Sequence, residues 1–510
     1  MTAAIVFEKV AWAYLAPLIA LAVGALAIVS WSSFAGRARR DVGRYLLLLS
    51  AAVAAASTVF LWTDLDRYSG TRQVLGSALV VDRLFLFSAA LVCASVFLCA
   101  VGAGAFLRRE GVAAPEAWAL LAMSGIGGVV MAGAGDLLVM FVALETLSLG
   151  AYVLAGYDRR RLASLEAGLK YFFLGAVASA FFLYGVALLY GATGTTDLTL
   201  VRASLEADPG MRSGMTVVGS VLVLIGLAFK VAAVPFHLWA PDVYRGAPTP
   251  FVGYLASGVK VAAFAATLRV FSLSLAPTDD WRAFVYALAV ASLLVGSMGA
   301  VVQTDVRRVL AYSSVSHAGF MLVGVHAASQ RGFEAVLVYL AAYSAMVIGA
   351  FTILSVHRSE DGVGPTLAEM KNFQRTHPAL GFALMVLLFA QAGMPFTSGF
   401  VAKFSVVVAA AETEEWFLAT VAMLSAVVAA YAYLRILVAM YFAHDDEAAE
   451  RDGRSRSEAP SRVAKFRGVG LVAGLCAALT LFIGFAPGPV QDLAARAAQL
   501  VGPVAVNGDR

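Results

Sequence analysis

Residues 221–244 read VLVLIGLAFKVAAVPFHLWAPDVY, a hydrophobic run that carries a lysine, Lys230, with Pro235 and His237 shortly after it. A charged side chain at the centre of a membrane helix costs about 2.5–3.5 kcal/mol on insertion scales. Proline removes a backbone donor and clashes with the preceding turn, so it breaks a helix. Broken membrane helices are tolerated where the freed backbone groups face protein or water. This stretch therefore predicts a membrane helix that breaks just after Lys230 inside a helical bundle.

The composition of the whole chain fits a membrane protein. Of its 510 residues, 61% are hydrophobic and 14% are charged, and the mean hydropathy is +0.82. Runs of about 18 or more apolar residues predict transmembrane helices. We predict an all-α polytopic membrane protein with about 14 transmembrane helices and essentially no soluble domain. The predicted spans lie near 11–30, 43–62, 83–107, 115–134, 137–155, 167–191, 215–239, 251–273, 282–302, 309–327, 333–356, 379–411, 417–442 and 468–486.

The distribution of basic residues predicts an orientation. Loops after odd-numbered spans carry 21 Lys and Arg residues, whereas loops after even-numbered spans together with the two termini carry 11. Cytoplasmic loops are enriched in these residues. We therefore expect the odd-numbered loops to be cytoplasmic and both termini to lie on the outer face.

Several classes of cofactor site are not indicated by the sequence. Cys93, Cys99 and Cys476 lie inside predicted spans without metal-ligand spacing, so we interpret them as apolar packing residues. No GxGxxG, Walker or CxxC pattern occurs. We expect no cofactor and no metal bound by this chain. The net charge of +4 reflects the loop bias and indicates no nucleic-acid partner.

The lysines are the most informative residues. The chain has 30 arginines, nearly all in loops or at span edges, but only 7 lysines. Four of the lysines lie within predicted spans, and Glu145 and His317 join them. Ionisable residues inside membranes normally face the bundle interior and mark ion or proton pathways. The residues of this set are Glu145, Lys170, Lys230, Lys260, His317 and Lys403.

The use of lysine rather than arginine inside the spans indicates proton transfer. Arginine keeps its proton under nearly all conditions, whereas a buried lysine changes its protonation state readily. A buried glutamate next to a buried lysine keeps both groups charged, and separating them allows either to exchange a proton. Glu145 and Lys230 are candidates for such a switch.

Several of these ionisable residues can also be interpreted as purely structural, without a role in proton transfer. Lys170 is close enough to the cytoplasmic entrance of its span to snorkel. A single ion pair inside the membrane can be purely structural. His317 alone is equally consistent with a hydrogen-bonded buried histidine, with Ser313 one turn back as a partner. We interpret Arg435, deep in the thirteenth span, as structural. The number of ionisable residues on different helices favours the pathway.

A second break is predicted in the twelfth run, FAQAGMPFTSGFVAKF, where Gly393, Pro395 and Gly399 precede Lys403. That run is also too long for one straight span. Two interrupted helices at corresponding places are typical of transporters built from inverted repeats.

The spacing predicts two inverted five-helix repeats, because an odd number of spans per unit reverses the topology. In each unit the second helix carries Glu145 or His317, and the broken fourth helix carries a lysine. Lys230 precedes its break, whereas Lys403 follows its own. The predicted units are a three-helix segment 1–114, repeats 115–273 and 282–442, a cytoplasmic loop 443–467, and a final span with its tail, 468–510.

Three segments carry a resemblance to a known family. FKVAAVPFHLWAPDVYRGAPTP, QTDVRRVLAYSSVSHAGFML and AGMPFTSGFVAKF resemble signature segments of the antiporter-like membrane subunits of respiratory complex I. Subunits of multisubunit cation/proton antiporters belong to the same family. The segment PDVYRGAP and the lysine in the twelfth span resemble the subunit N branch of this family. The resemblance covers about residues 115–440.

The resemblance implies roles for the buried residues. Glu145 in the fifth helix would pair with Lys230 in the broken seventh. Lys260 would link two half-channels, with His317 on the central line between them. Lys403 would be the terminal proton donor or acceptor toward the outside.

Two further residues match the family pattern. Lys170 matches a lysine that the family has in its sixth helix. His237 is expected to support the break of the seventh helix and a central water path.

The resemblance also implies a context. The chain would be a proton-translocating, non-redox subunit of an NADH–quinone oxidoreductase in the bacterial plasma membrane. NADH, FMN, iron–sulfur clusters and quinone would be bound by partner subunits. The expected neighbours are the antiporter-like subunit M and the small subunits J and K, together with membrane lipid.

Two alternatives remain open from the sequence. The chain could be a subunit of a multisubunit Na⁺/H⁺ antiporter on the same scaffold, although lysines disfavour direct Na⁺ binding. It could also be a haem-b membrane cytochrome that uses two of His237, His317 and His326 as axial ligands.

Overall fold

The computed structural model describes residues 12–34, 41–67, 71–112, 115–208, 214–357, 364–442 and 467–499. The predicted cytoplasmic loop 443–467 lies outside this part, apart from its last residue, and so does the end of the predicted tail. The described chain is almost entirely helical, which confirms the all-α prediction, with one small β-hairpin of three-residue strands.

Most helices are long enough to cross a membrane. A 3₁₀ turn, Trp12–Leu15, leads into the first of them, and a π-helical turn, Arg269–Ser274, extends α11. The elements are α1 (Ala16–Phe34), α2 (Val42–Arg67), β1 (Arg72–Val74), β2 (Leu79–Val81), α3 (Arg83–Arg109), α4 (Pro115–Gly133), α5 (Leu137–Ala155), α6 (Leu162–Thr193), α7 (Leu198–Ala207), α8 (Gly214–Val231), α9 (Trp239–Gly246), α10 (Thr249–Ala256), α11 (Gly258–Leu268), α12 (Asp280–Val302), α13 (Val306–His326), α14 (Gln330–Leu354), α15 (Phe373–Thr376), α16 (Pro378–Ala392), α17 (Ser398–Glu412), α18 (Trp416–Tyr441), α19 (Arg467–Phe485) and α20 (Gly488–Ala498).

Thirteen helical segments of the described residues have the length and hydropathy of membrane spans. The twelfth predicted run contains two shorter helices instead, α16 and α17, of 15 residues each. Counted as one interrupted crossing, this pair brings the total to the fourteen predicted crossings. The eighth crossing is also discontinuous, since α10 and α11 meet at Ser257, which has non-helical dihedral angles.

The crossings form a bundle with a buried centre. The segments Thr249–Ser274, Val306–His326 and Gln330–Leu354 are almost completely covered by other helices. Peripheral helices such as α6 leave large apolar side chains exposed, for example Phe173 and Val177. Such a surface is suited to contact lipid, whereas ionisable residues on the central helices must find partners inside the protein.

Loops after odd-numbered crossings contact one another at one end of the bundle. Arg161 forms an ion pair with Glu110 at 2.7 Å. Arg109 donates to the carbonyls of Ser355 and Val356, both at 2.9 Å.

Loops after even-numbered crossings meet at the opposite end. Leu79 of the hairpin bridges to Ala134, and Asp136 bridges to Asp197. His326 lies 3.0 Å from the Glu415 carboxylate. The connections therefore alternate between two ends of the bundle. Which end faces the cytoplasm stays a prediction from the loop charges.

A buried ion pair ties the even-loop end together. The Arg269 guanidinium makes two hydrogen bonds, of 2.9 and 3.0 Å, to the Asp82 carboxylate, and it donates to the Ala132 carbonyl at 3.1 Å. Asp82 also caps α3 by accepting from the Phe85 amide at 2.8 Å. Arg269 is 1% exposed. The pair therefore joins three crossings through polar groups that are buried away from solvent.

We predict that Arg269→Ala destabilises the protein strongly, because it leaves the buried Asp82 carboxylate without its counter-ion. Breaking such a pair costs about 3–5 kcal/mol. The midpoint of thermal unfolding of the protein in its membrane measures the effect. Arg108→Ala is the matched control, since the Arg108–Asp41 pair has half-exposed side chains and contributes about 0–1 kcal/mol. Equal midpoints for the two variants would contradict this account.

Candidate functional site

The first break separates α8 from α9. Helix α8 ends at Val231, one residue after Lys230, and α9 begins at Trp239. The backbone groups freed by the break find partners in neighbouring side chains. The Val234 amide donates to the Ser292 hydroxyl at 2.9 Å, and the Trp239 indole donates to the Phe229 carbonyl at 2.9 Å. The break is thus satisfied by protein groups, as an interruption at membrane depth requires.

At the second break, a lysine side chain contacts backbone carbonyls at the end of a helix. Helix α16 ends at Ala392, and Gly393 follows with a φ of 93°, a conformation that favours glycine. Lys403, on α17, donates to the carbonyls of Gln391 and Ala392 at 2.8 and 3.0 Å. These carbonyls form the negative end of the α16 dipole, so they stabilise a positive charge.

Lys230 is held mainly by aromatic side chains. Its side chain is 1% exposed, and Nζ donates to the Tyr152 hydroxyl at 3.3 Å. Nζ also lies 4.8, 5.1 and 5.6 Å from the ring centres of Tyr152, Tyr171 and Phe229. Ring faces attract cations, most strongly where water is excluded. The lysine therefore has neutral partners.

Glu145 does not form the direct pair that the sequence resemblance implies. Within the described residues, its carboxylate makes no ion pair with Lys230 within 4 Å, and its Oε1 is buried without a hydrogen-bond partner. Tyr152 lies seven residues further along the same helix, about 10 Å along the axis. The hydroxyl of Tyr152, rather than the carboxylate, is the group that meets Lys230.

Lys260 lies at the centre of the bundle and is fully buried. Its Nζ donates to the Ser314 carbonyl at 2.5 Å and lies 5.4 Å from the Tyr343 ring centre. The Ser314 hydroxyl in turn accepts from Tyr343 at 2.9 Å and lies 3.3 Å from the Tyr244 hydroxyl. Lysine, serine and two tyrosines thus form a continuous polar group inside the apolar core.

His317 extends this group one turn further along α13. Its Nδ1 lies 2.7 Å from the Tyr339 hydroxyl, and its Nε2 lies 3.1 Å from the Tyr433 hydroxyl. Tyr433 also bonds to Ser313, the serine that the sequence suggested as a direct partner of His317. Lys260 contacts Ser314, three residues before His317 on α13, and Lys403 Nζ lies 5.3 Å from the ring centre of Phe320, three residues after it.

Lys170 differs from the other three lysines. Its side chain is 42% exposed and forms ion pairs with Glu166 at 2.6 Å and with Asp242 at 2.7 Å. Asp242 belongs to α9, so the pair fastens the second half of the broken helix to α6. This geometry agrees with the structural reading that the sequence left open for Lys170.

His237 lies within the first break. The side chain is buried, and its Nδ1 has no hydrogen-bond partner among the described residues. Its ring centre is 6.2 Å from that of Tyr312. An unpartnered nitrogen in an interrupted helix is suited to bind water, which is consistent with the expected support of a water path.

The Arg435 side chain makes hydrogen bonds to backbone carbonyls. Its guanidinium donates to the Val301 carbonyl and, at 3.4 Å, to the Gln303 carbonyl. These contacts tie α18 to the end of α12, which agrees with the structural interpretation.

Buried tyrosines are the candidate site residues that could not be recognised from the sequence. Their hydroxyls contact Lys230, His317, Ser313 and Ser314. A buried tyrosine hydroxyl normally needs a partner, so tyrosines placed inside apolar spans were the available signal. The set comprises Tyr152, Tyr244, Tyr339, Tyr343 and Tyr433.

Comparison with known proteins identifies the family. The model of the NADH:quinone oxidoreductase/Mrp antiporter transmembrane family matches residues 134–429. NADH-quinone oxidoreductase subunit N of Mycobacterium tuberculosis is 41% identical, over 96% of this chain and 98% of that protein. The chain belongs to the subunit N group of this family. The subunit N of Erythrobacter litoralis is 39% identical, over 85% of this chain and 88% of its own length.

Solved structures agree with the family assignment. A chain of respiratory complex I from Thermus thermophilus, with bound Aureothin, is 32% identical to this subunit N family member and superposes with a TM-score of 0.76. The match covers 94% of this chain and 99% of that chain. A chain of the Mrp complex from a Dietzia species superposes with a TM-score of 0.82 at 22% identity, which shows a shared fold alone.

The match to the family model includes the ionisable residues of the predicted pathway. Residues 134–429 contain Glu145, Lys230, Lys260, His317 and Lys403, whereas Arg435 falls beyond the matched segment. These five residues thus lie in the segment that matches the family model, whereas Tyr433 falls just beyond it.

We predict that Gly393→Ala destabilises the protein. The left-handed φ costs a non-glycine residue about 1–2 kcal/mol, and a Cβ there would lie 3.1 Å from Lys403 Cδ. The heat-inactivation midpoint of the assembled complex should fall. Gly470→Ala is the control, because a Cβ at that helical position meets nothing within 4 Å. A Gly393→Ala protein as stable as the control would show that the glycine is dispensable.

Proposed function

We propose that this chain is a proton-translocating membrane subunit of NADH-quinone oxidoreductase. NADH oxidation and quinone reduction in other subunits supply the energy, and this chain moves protons through its buried ionisable residues. The observation that carries the proposal is the environment of Lys230, Lys260 and Lys403. Each ammonium group is buried, and within the described residues its hydrogen-bond partners are a tyrosine hydroxyl or backbone carbonyls.

Neutral partners matter because they leave the protonation state adjustable. A carboxylate in contact with a lysine fixes the positive charge, whereas desolvation among neutral groups disfavours it. A small change in nearby charge or water then decides whether the lysine holds its proton. Groups of this kind are suited to accept and release protons in turn.

The proposed pathway runs through the centre of the membrane. Glu145 and Lys230 form the entry switch, and Lys260 receives the proton at the centre. His317 connects Lys260 to Lys403, which exchanges the proton with the outer side.

Lys170 and His237 assist this path at its entry. The Lys170–Asp242 pair holds α9 in place beside the entry, and His237 supports water within the first break.

Proton movement against the membrane potential sets the energy requirement. Each proton moved against 100 mV requires about 2.3 kcal/mol. The chain is expected to bind no redox cofactor of its own, so this energy has to arrive from partner subunits as an electrostatic or conformational change. A changed charge near Glu145 would act on Lys230 first.

We further propose the domain organisation and setting predicted from the sequence. Repeats 115–273 and 282–442 are related by inversion, and each contains an interrupted helix, α8–α9 or α16–α17. The chain lies in the bacterial plasma membrane with both termini on the outer face. Its proposed neighbours are subunits M, J and K.

The Na⁺/H⁺ antiporter reading remains the second candidate. The superposition with an Mrp complex chain supports it at the level of the fold. Na⁺ prefers oxygen ligands, and the buried polar line is built on three lysines, so we favour protons. Dependence of transport on Na⁺ distinguishes the two.

The haem alternative is disfavoured by the histidine geometry. Both ring nitrogens of His317 contact tyrosine hydroxyls, and both of His326 contact Arg282 or Glu415. Neither ring has a nitrogen free to act as an axial ligand in this conformation.

We predict that Lys260→Ala abolishes most NADH-driven proton pumping in inverted membrane vesicles, because the central proton carrier is lost. Assembly of the complex and the NADH oxidation rate are measured in the same membranes. Lys371→Ala, a lysine in a connecting segment, is the control and should pump normally. Full pumping by an assembled Lys260→Ala complex, or pumping that requires Na⁺, would contradict the proposal.

A further inference from the structure

The contact between Lys230 and Tyr152 raises a question about how Glu145 acts. Glu145 and Lys230 make no direct ion pair in the described structure, yet both belong to the proposed entry switch. The Tyr152 hydroxyl is the hydrogen-bond partner of Lys230, at 3.3 Å. Tyr152 is 5% exposed and lies on the same helix as Glu145.

Glu145, Ser148 and Tyr152 lie on one face of α5, because residues three and four apart are neighbours on a helix. Ser148 lies between Glu145 and Tyr152 on this face, so the three polar side chains follow one another at intervals of about one helical turn. The face therefore carries a row of polar groups that begins at the carboxylate and ends at Lys230.

The Tyr152 ring is held firmly in this position. It packs edge-to-face against Tyr171, with ring centres 4.7 Å apart and an interplanar angle of 84°. On α6, Gly175 makes room for the hydroxyl, since a Cβ at that position would lie 1.9 Å from Tyr152 Oη. The hydroxyl is thus confined between α6 and the lysine.

Tyr171 provides a contrast within the same site. Its ring centre lies 5.1 Å from Lys230 Nζ, about as close as that of Tyr152. Its hydroxyl, however, is buried without a hydrogen-bond partner in the described part of the chain. The two tyrosines offer Lys230 similar ring faces, but only the hydroxyl of Tyr152 contacts the ammonium group.

We propose that Tyr152 is the positioning residue that couples Glu145 to Lys230. A tyrosine hydroxyl can accept from a protonated lysine and can donate to a neutral one. By turning its O–H, Tyr152 keeps Lys230 in place in both protonation states. It also makes the protonation state of Lys230 depend on that of Glu145. This inference rests on the proposed proton-pumping function.

The test compares Tyr152→Phe with Tyr171→Phe in membranes that carry the assembled complex. Proton pumping per NADH oxidised is measured between pH 6 and 9, roughly the range in which a buried lysine can titrate. Loss of the Tyr152 hydroxyl removes a hydrogen bond from both forms of Lys230, and the bond to the charged form is the stronger of the two. The alkaline limb of the pumping profile should therefore move to lower pH by about one unit. Tyr171→Phe should leave the profile unchanged.

A double variant tests the coupling itself. If Tyr152 transmits the state of Glu145, then Glu145→Gln should alter the pH profile of the wild type but add little to that of Tyr152→Phe. Independent, additive shifts would overturn the inference. So would equal profiles for Tyr152→Phe and the wild type, or equal shifts for Tyr152→Phe and Tyr171→Phe, since packing alone would then explain the contact.

Two further variants separate this inference from the proposed function. Lys230→Ala that pumps normally would overturn the proton-pumping proposal, and the role of Tyr152 with it. Lys230→Ala without pumping, beside a Tyr152→Phe protein with an unchanged profile, would overturn the Tyr152 inference alone. If Tyr152→Phe fails to assemble, Gly175→Ala displaces the hydroxyl while keeping it, and the same pH shift is expected.

Discussion

The burial of positive charge without a carboxylate partner is the constraint on which the rest of the structure depends. Lys230, Lys260 and Lys403 are almost completely removed from solvent. An isolated ammonium group in a medium of low polarity is very unfavourable, so the protein must provide dipoles and ring faces in place of water. Interrupted helices serve this need because they free carbonyl groups that an intact helix would keep for itself.

The two breaks meet this need in different ways. At the second break, Lys403 reaches back across the gap to carbonyls at the end of α16. At the first, Lys230 lies before the gap on α8 and is surrounded by Tyr152, Tyr171 and Phe229. Carbonyl oxygens favour the charged lysine more strongly than ring faces do. The two lysines are therefore held by different kinds of neutral group.

The residues that sequence analysis found are those that contrast with their surroundings. A lysine or a proline in an apolar run is conspicuous, so Lys230, Pro235, Lys260 and Lys403 could be located from the sequence. The thickness of the bilayer sets the length of a crossing, so the number of crossings and their approximate ends could also be predicted. Helix α8 ends within one residue of Lys230, since the steric effect of proline acts over a short and known distance.

Other features could not be predicted because they depend on contacts between distant segments. Tyr152 and Tyr433 look like ordinary aromatic residues within hydrophobic runs, and their roles appear only when α5, α8, α13 and α18 come together. The hairpin Arg72–Val81 and the helices α7 and α20 are too short for a hydropathy signal. Arg269 resembles any basic residue at a span edge until Asp82, 187 residues earlier, lies against it.

The same limit applies to the pair of Glu145 and Lys230. The resemblance predicts which residues act together, but it gives no distance between them. In the proposed coupling, a tyrosine two turns after the glutamate takes the place of a direct ion pair. Coupling through a hydroxyl is weaker than a salt bridge and easier to reverse, which suits a group that is proposed to gain and lose a proton in each cycle.

The measurement that tests this account most directly is NADH-driven proton pumping by a complex that carries Lys230→Arg, beside Lys230→Ala. Arginine supplies the positive charge but keeps its proton under nearly all conditions. The account predicts that Lys230→Arg assembles and oxidises NADH but pumps as poorly as Lys230→Ala. Wild-type pumping by Lys230→Arg would mean that a fixed charge is sufficient at this position, and it would contradict the claim that Lys230 must release its proton.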